Sequence, residues 1–236
     1  MKKLPHQPVN GLIEGLAIIQ KLTMSNKPVS TTQLAQELNM EKTRVNRILK
    51  TLDYLEIAYR TNSRKYTIGS GIHVLAAQSI HASGLIQSAV RNLEPLQQYG
   101  YVVALGFLAL DQVCYLYHWV PGLSSIEAIG RLAMYPAERS SIGVVLLAER
   151  DEEYLSLVEN RIASRNGSVK SLRSSVEQAK IKKYAEVKET KDALSLAVTL
   201  GNPVFGAIAL SGNIPPEQEG FFIQLLNKTA MDIEKD

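Results

Sequence analysis

Between positions 42 and 50 the chain presents Lys42, Thr43, Arg44, Asn46, Arg47 and Lys50. All six can donate to phosphate oxygens, and Arg44, Asn46 and Arg47 also have the shape to read base edges in a DNA major groove. They alternate with Val45, Ile48, Leu49, Leu52 and Leu55, whose three- and four-residue spacing predicts an amphipathic helix over 41–55. Further on, Arg60, Arg64 and Lys65 flank a polar stretch and could reach the backbone or minor groove. A basic helix face alone is as readily a solvated face, so the elements that accompany it decide the reading.

The segment Ser30-Thr31-Thr32-Gln33 fits a capping box, with the Ser30 hydroxyl accepting from the N–H three residues on and Gln33 reaching back. The helix it opens places Leu34, Ala35 and Leu38 on one apolar face, and puts Thr31 and Thr32 at its exposed start as further candidate DNA contacts. After a break at Asn39-Met40 comes the basic helix, and helix, tight turn, basic helix is the helix-turn-helix arrangement. Upstream, Gly11 to Met24 carries Leu12, Leu16, Ile19 and Leu22 at helical spacing, which predicts a helix packed beneath the pair and ended before Pro28. Downstream, the β-rich runs Ile57 to Arg60 and Tyr66 to Ile68 enclose the turn Thr61 to Lys65, which predicts a hairpin, or wing. Residues 1–70 thus read as a winged helix-turn-helix domain. They hold eleven Lys and Arg against five Asp and Glu, a balance of +6, whereas the remainder balances fifteen against eighteen, at −3. Such asymmetry predicts double-stranded DNA as the partner of the first part alone.

Residues 71–84 are helical in pattern and rich in small side chains, and read as a linker helix broken near Ser83-Gly84 that could also dimerise. Dimerisation would align two reading heads on a two-fold site. Residues 85–236 form a second domain. A helix there is expected to end about Tyr99-Gly100. A hairpin is expected from Tyr101 to Leu110 and Val113 to Trp119, a strand over Ser125 to Ile129, and a short buried helix over Ser140 to Glu149. Helices Asp151 to Asn160 and Val169 to Lys183 follow. The strands Ala185 to Glu189, Leu194 to Leu200 and Val204 to Leu210 come next, and a helix from Pro216 to Glu234 closes the chain. Sheet with peripheral helices is an α+β fold.

Several classes recede. No apolar run approaches the roughly 20 residues of a membrane span, and the first residues lack a signal-type apolar stretch, so a cytoplasmic location is expected. The single cysteine, Cys114, precludes an internal disulfide, and its apolar setting predicts a buried, inert thiol. The four histidines, His6, His73, His81 and His118, lack ligand spacing, so no metal and no cofactor are expected. Around Ser140 and Ser141 there is no Gly-x-Ser-x-Gly elbow, and the chain has no His-Glu-x-x-His and no phosphate-binding glycine loop, so no catalytic residues are assigned. A hydrolase assembled from Ser140, Ser141, His118 and Glu138, and an adaptor using the winged domain for protein contacts, stand as the alternatives to a DNA-binding regulator.

The second domain also carries recognisable motifs. Gly130-Arg131-Leu132-Ala133-Met134-Tyr135-Pro136, Ser140-Ser141-Ile142-Gly143 and Leu146-Leu147-Ala148 resemble the effector-domain signature of IclR-family transcriptional regulators. Ala193 to Val198 and Phe205 to Gly212 resemble that family's closing strands, and Arg44 to Leu52 its recognition helix, so the resemblance runs from about Val9 to about Ile233. It implies a GAF-like effector-binding domain, a homodimer or dimer of dimers on a roughly palindromic operator, and a small organic effector, often an acid, that modulates operator binding. Carried over by position, the effector pocket would be lined by Ser140, Ser141, Ile142 and Gly143 on one side and by Ala193, Ser195, Ala209 and Ser211 on the other. N–H groups at a helix start beside hydroxyls suit a carboxylate. Equally, the same residues could serve only to satisfy the backbone. The chain departs from the family at Ala137 and Glu138, where leucine and histidine are usual, at Val144, usually lysine, and at Ala193, where some members place a cysteine. Arg131 or Arg139 could supply a cation there, or be ordinary surface residues.

Overall fold

Hydrophobic periodicity over the first seventy residues closes a small core around three helices. The computed structural model describes residues 6–130, 134–164, 169–188, 190 and 193–235. Its described residues divide into two compact units, one up to Ser83 and one from Gly84 onward.

In the first unit, helices α1 (Asn10–Thr23), α2 (Thr31–Glu37) and α3 (Lys42–Tyr54) are followed by the antiparallel strands β1 (Ala58–Arg60) and β2 (Tyr66–Ile68), and then by α4 (Ser70–Ser83). Ile18 and Leu22 of α1, Leu34 and Ala35 of α2, and Val45, Leu49 and Leu52 of α3 meet Val29, Ala58 and Tyr66 in one core. Val29 exchanges both backbone hydrogen bonds with Tyr66, at 2.8 Å each, which fastens the turn before α2 to the wing. Ser30 caps α2 as expected, its Oγ accepting from the Gln33 N–H at 3.1 Å. The reciprocal half of the capping box is absent, because the Gln33 amide donates to Glu37 at 3.0 Å instead. That contact and the Lys21 ammonium, 3.2 Å from Glu37, hold the Glu37 carboxyl below its usual range. Helix α4 buries none of its residues within the chain.

The second unit begins with α5 (Leu85–Leu93), entered through Gly84 at φ +62°, and a 3₁₀ turn over Glu94–Tyr99. A six-stranded antiparallel sheet follows. Its strands are β3 (Val102–Ala109), β4 (Gln112–Trp119), β5 (Tyr135–Pro136), β6 (Ala185–Lys188), β7 (Leu194–Leu200) and β8 (Gly206–Gly212), in the spatial order β5-β4-β3-β8-β7-β6. Helices α6 (Ser141–Ala148), α7 (Glu152–Ser164) and α8 (Val169–Lys182) lie between β5 and β6 in the chain, and α9 (Glu219–Lys235) ends it.

Strand alternation sorts the side chains into two cores. On one face Val103, Leu105, Leu196, Val198, Ile208 and Leu210 meet α5 and α9. On the other, Ala104, Ala197, Ala207 and Ala209 meet α6, α7 and α8. Large aliphatics keep α9 at ordinary distance, whereas small residues let α6 settle so closely that all eight of its residues are buried. Gly106 is part of that fit, since a Cβ there would stand 2.7 Å from Val113 Cγ1 and 3.3 Å from Ile142 Cγ2.

Three expectations about this unit fail. Ser125 to Ile129 is a run of turns rather than a strand, pairing with the sheet through an isolated bridge of Ile129 to Tyr117. The Ser124 N–H and hydroxyl both donate to Glu127, at 2.9 and 2.7 Å, and that local bonding holds the backbone out of a ladder. The final strand starts at Gly206, not Val204, because the Gly201 to Val204 turn extends further than its composition suggested. Cys114 lies on the exposed side of β4 rather than in the core, although enough atoms surround its sulfur for desolvation to push the thiol pKa up.

Candidate nucleic-acid interface and ligand site

The compact first unit carries the candidate DNA-binding residues on α3, on the wing and at the start of α2. On α3, Lys42, Thr43, Arg44, Arg47 and Lys50 are exposed and Asn46 is half-buried, while Val45 and Leu49 on the opposite side are fully buried. Arg60, Arg64 and Lys65 are exposed on the wing. Thr32 is exposed and Thr31 half-buried at the start of α2.

Local bonding fixes the wing against α3. Asp53 of α3 accepts from the Arg60 N–H at 2.9 Å. Within the turn, the Thr61 N–H donates to the Lys65 carbonyl at 2.8 Å, and the Arg64 N–H donates to the Thr61 carbonyl at 2.9 Å. Arg64 takes φ +60°, the left-handed conformation that lets so short a turn close. The two cations at the wing tip therefore stand on an ordered turn.

Two carboxylates lie among these donors, and the charge count did not foresee their position. Glu41, which stands at the N-cap position of α3 without a side-chain bond to its backbone, accepts from the Thr43 hydroxyl. Glu14 of α1 accepts from Arg44 Nε at 2.5 Å. Both residues line a groove of about 690 Å³ between α1 and α3. The sequence clue was the helical phase of Glu14, one turn before Ile18, which packs in the core with Val45 and Leu49 of α3.

In the second unit the candidate ligand residues fall at the seam between α6 and the small-residue face of the sheet. Ser140 caps α6, accepting from the Gly143 N–H at 3.2 Å and sharing a hydrogen bond with the Tyr115 hydroxyl at 2.9 Å. Ser141 and Ser195 share one at 2.7 Å, and Ser195 and Ser211 another at 2.5 Å, so three hydroxyls run in a chain from α6 across β7 to β8. Ser195 and Ser211 are directly paired across the ladder, as are Ala197 and Ala209. Ile142 is fully buried, and Gly143 admits no side chain, because a Cβ there would lie 2.3 Å from the Ala137 carbonyl oxygen. Ala193 stands just ahead of β7, its N–H donating to Thr190 at 3.1 Å. Tyr115 is a member of this cluster that the motifs did not announce. Of the two candidate cations, Arg139 is exposed and Arg131 lies outside the described residues.

Among the described residues no cluster of three His, Cys, Asp or Glu could hold a metal ion, and no helix is long and apolar enough to cross a membrane.

No family model matches the sequence. The HTH-type transcriptional regulator KdgR of Dickeya chrysanthemi is 28% identical over 181 residues, which cover 74% of this chain and 58% of that protein. This chain thus spans less than two thirds of that relative's length. Among solved structures, an IclR family transcriptional regulator from Brucella abortus superposes with a TM-score of 0.77 at 20% identity, covering 100% of this chain and 95% of its own. An IclR homolog from Microbacterium hydrocarbonoxydans, crystallised with 4-hydroxybenzoate, superposes at 0.59 with 19% identity over 95% and 98% of the two chains.

Proposed function

We propose that this chain, which by fold belongs with the IclR-family transcriptional regulators, is a sequence-specific DNA-binding regulator controlled by a small organic effector, and not an enzyme. The observation that carries the reading is the first unit's geometry. A helix with Lys42, Arg44, Arg47 and Lys50 exposed along one side is braced through Asp53 to a wing bearing Arg60, Arg64 and Lys65. Thr43, Arg44, Asn46 and Arg47 then read bases, while Lys42, Lys50, Arg60, Arg64 and Lys65 meet phosphates and Thr31 and Thr32 anchor the first helix on the backbone.

Fluorescence anisotropy with a pool of random-sequence duplexes tests this directly. Log affinity should fall linearly with log salt, at roughly −0.9 per phosphate neutralised, and repeated selection from the pool should enrich a roughly palindromic site. A salt-independent interaction, or no enrichment, would end the proposal in favour of an adaptor.

The effector reading assigns the hydroxyl chain Ser141, Ser195 and Ser211, with Ser140 and Tyr115 beside it, to a small organic acid. Support comes from the placement of these groups at the start of α6 and from the 4-hydroxybenzoate held by the Microbacterium protein. The hydroxyls bond to one another in this structure, so an entering carboxylate would exchange partners with them rather than meet unsatisfied groups. Thermal-shift screening against small carboxylates should give hits that Ser195→Ala weakens, and hits confined to cations or large apolar compounds would refute the assignment.

A homodimer completes the proposal. Its support is α4, which buries none of its residues and leaves Val74, Leu75 and Ile80 exposed.

A further inference from the structure

We infer that Glu14 is a positioning and specificity residue that holds the Arg44 side chain for base reading and penalises its use on phosphate; this rests on α3 being the DNA-reading helix. Arg44 and Glu14 are thirty residues apart in sequence and joined by a 2.5 Å contact from Nε to Oε2. A guanidinium carries five donors in a rigid fork, so a carboxylate on the Nε edge fixes the plane and leaves the end bearing the two terminal amino groups for another partner. That is the end-on geometry that pairs with guanine O6 and N7.

The carboxylate also has an electrostatic consequence. Glu14 is the less exposed partner, its side chain 23% accessible against 47% for Arg44, because it sits in the groove between α1 and α3. It therefore stays in place when Arg44 engages DNA. A phosphate approaching Arg44 meets that second negative charge, whereas the neutral edge of a base does not. Like charges set against the wrong contact raise specificity without adding any attraction to the right one.

Glu14→Gln keeps the side chain's shape and removes its charge. Full-length protein carrying it should bind random-sequence duplexes about three- to tenfold more tightly at low salt, with a log–log salt slope steeper by roughly 0.9, one added phosphate contact. Its preference for duplexes enriched by the wild-type protein over the random pool should fall by a similar factor. Glu14→Asp, which keeps the charge, should retain the wild-type slope. In an Arg44→Ala background Glu14→Gln should change neither slope nor preference. A Glu14→Gln protein that melts at a lower temperature but keeps wild-type slope and preference, or an effect that persists without Arg44, overturns the role while leaving DNA binding intact. A wild-type protein that binds no duplex overturns both.

Discussion

At the scale of single residues, two exposed arginines, one on α3 and one on the wing, are expected to do different work. Arg47 stands on α3 among candidate base readers, and Arg64 on the wing at a left-handed turn position. Arg47→Ala should weaken binding to an enriched site by about 1–3 kcal/mol and relax its sequence preference, while Arg64→Ala should weaken all duplexes alike and reduce the salt slope by about 1. Quantitative binding to both duplex pools separates them, and unchanged preference in Arg47→Ala would place the wrong side of α3 against DNA. In the second unit, Gly143→Ala should destabilise by about 3 kcal/mol, because the added methyl meets the Ala137 backbone rather than a movable side chain. Thermal denaturation checks it. The cations of α3 were legible in the sequence because phase alone separates exposed from buried positions on a helix with so clear an apolar side. The mutual bonding of Ser141, Ser195 and Ser211 was not, since it joins a helix to two strands and depends on how closely α6 settles. Cys114 was misplaced for a related reason. A strand apolar on both faces, as β4 nearly is, gives no sign of which side a small residue takes.

Elements were legible wherever their ends carry chemistry. Helix α2 starts at its Ser30 cap, α5 starts after Gly84, and the wing closes through Thr61, whose hydroxyl also donates to the Lys65 carbonyl at 3.1 Å. Because only half of the capping box forms, its two residues should respond unequally. Ser30→Ala should cost about 1 kcal/mol by orphaning the Gln33 N–H. Gln33→Ala should stay within roughly 0.5 kcal/mol, since it removes only an exposed contact with Glu37. Denaturant unfolding of the two variants gives the comparison, and equal losses would mean that the reciprocal bond forms in solution. Elements were misread where apolar composition outran geometry. Phe205 looked like strand, yet it stays 46% exposed and stacks on Phe107 with ring centroids 6.3 Å apart, leaving Gly206 to open β8. Ile126 looked like strand too, but at 82% exposed it belongs to turns held by Ser124 and Glu127.

For the whole molecule, the proposed regulator requires that an effector bound in one unit change DNA affinity in the other. Whatever the route, the coupling must be reciprocal: if the effector weakens operator binding by some factor, the operator weakens effector binding by the same factor. A two-fold site also demands that two first units be held at fixed separation, and α4 is the element with apolar surface to give. Beyond its first turn, where the Gly71 N–H donates to the Glu56 carbonyl at 2.9 Å, this helix is exposed and carries Val74, Leu75 and Ile80, and helices of its length are marginal alone in water. Burying such side chains against a second copy would return about 25 cal/mol for each Å² of apolar area covered. The combined substitution Val74→Glu and Leu75→Glu places two like charges in that seam and should shift sedimentation toward monomer. Binding to a full two-fold site should then fall by at least tenfold at concentrations where the wild type is dimeric. Binding to an isolated half-site should change little, because the residues of α3 proposed to read DNA are untouched. If both sites lose affinity equally, α4 supports the fold of the first unit rather than its pairing. If neither changes, the second copy joins through another surface.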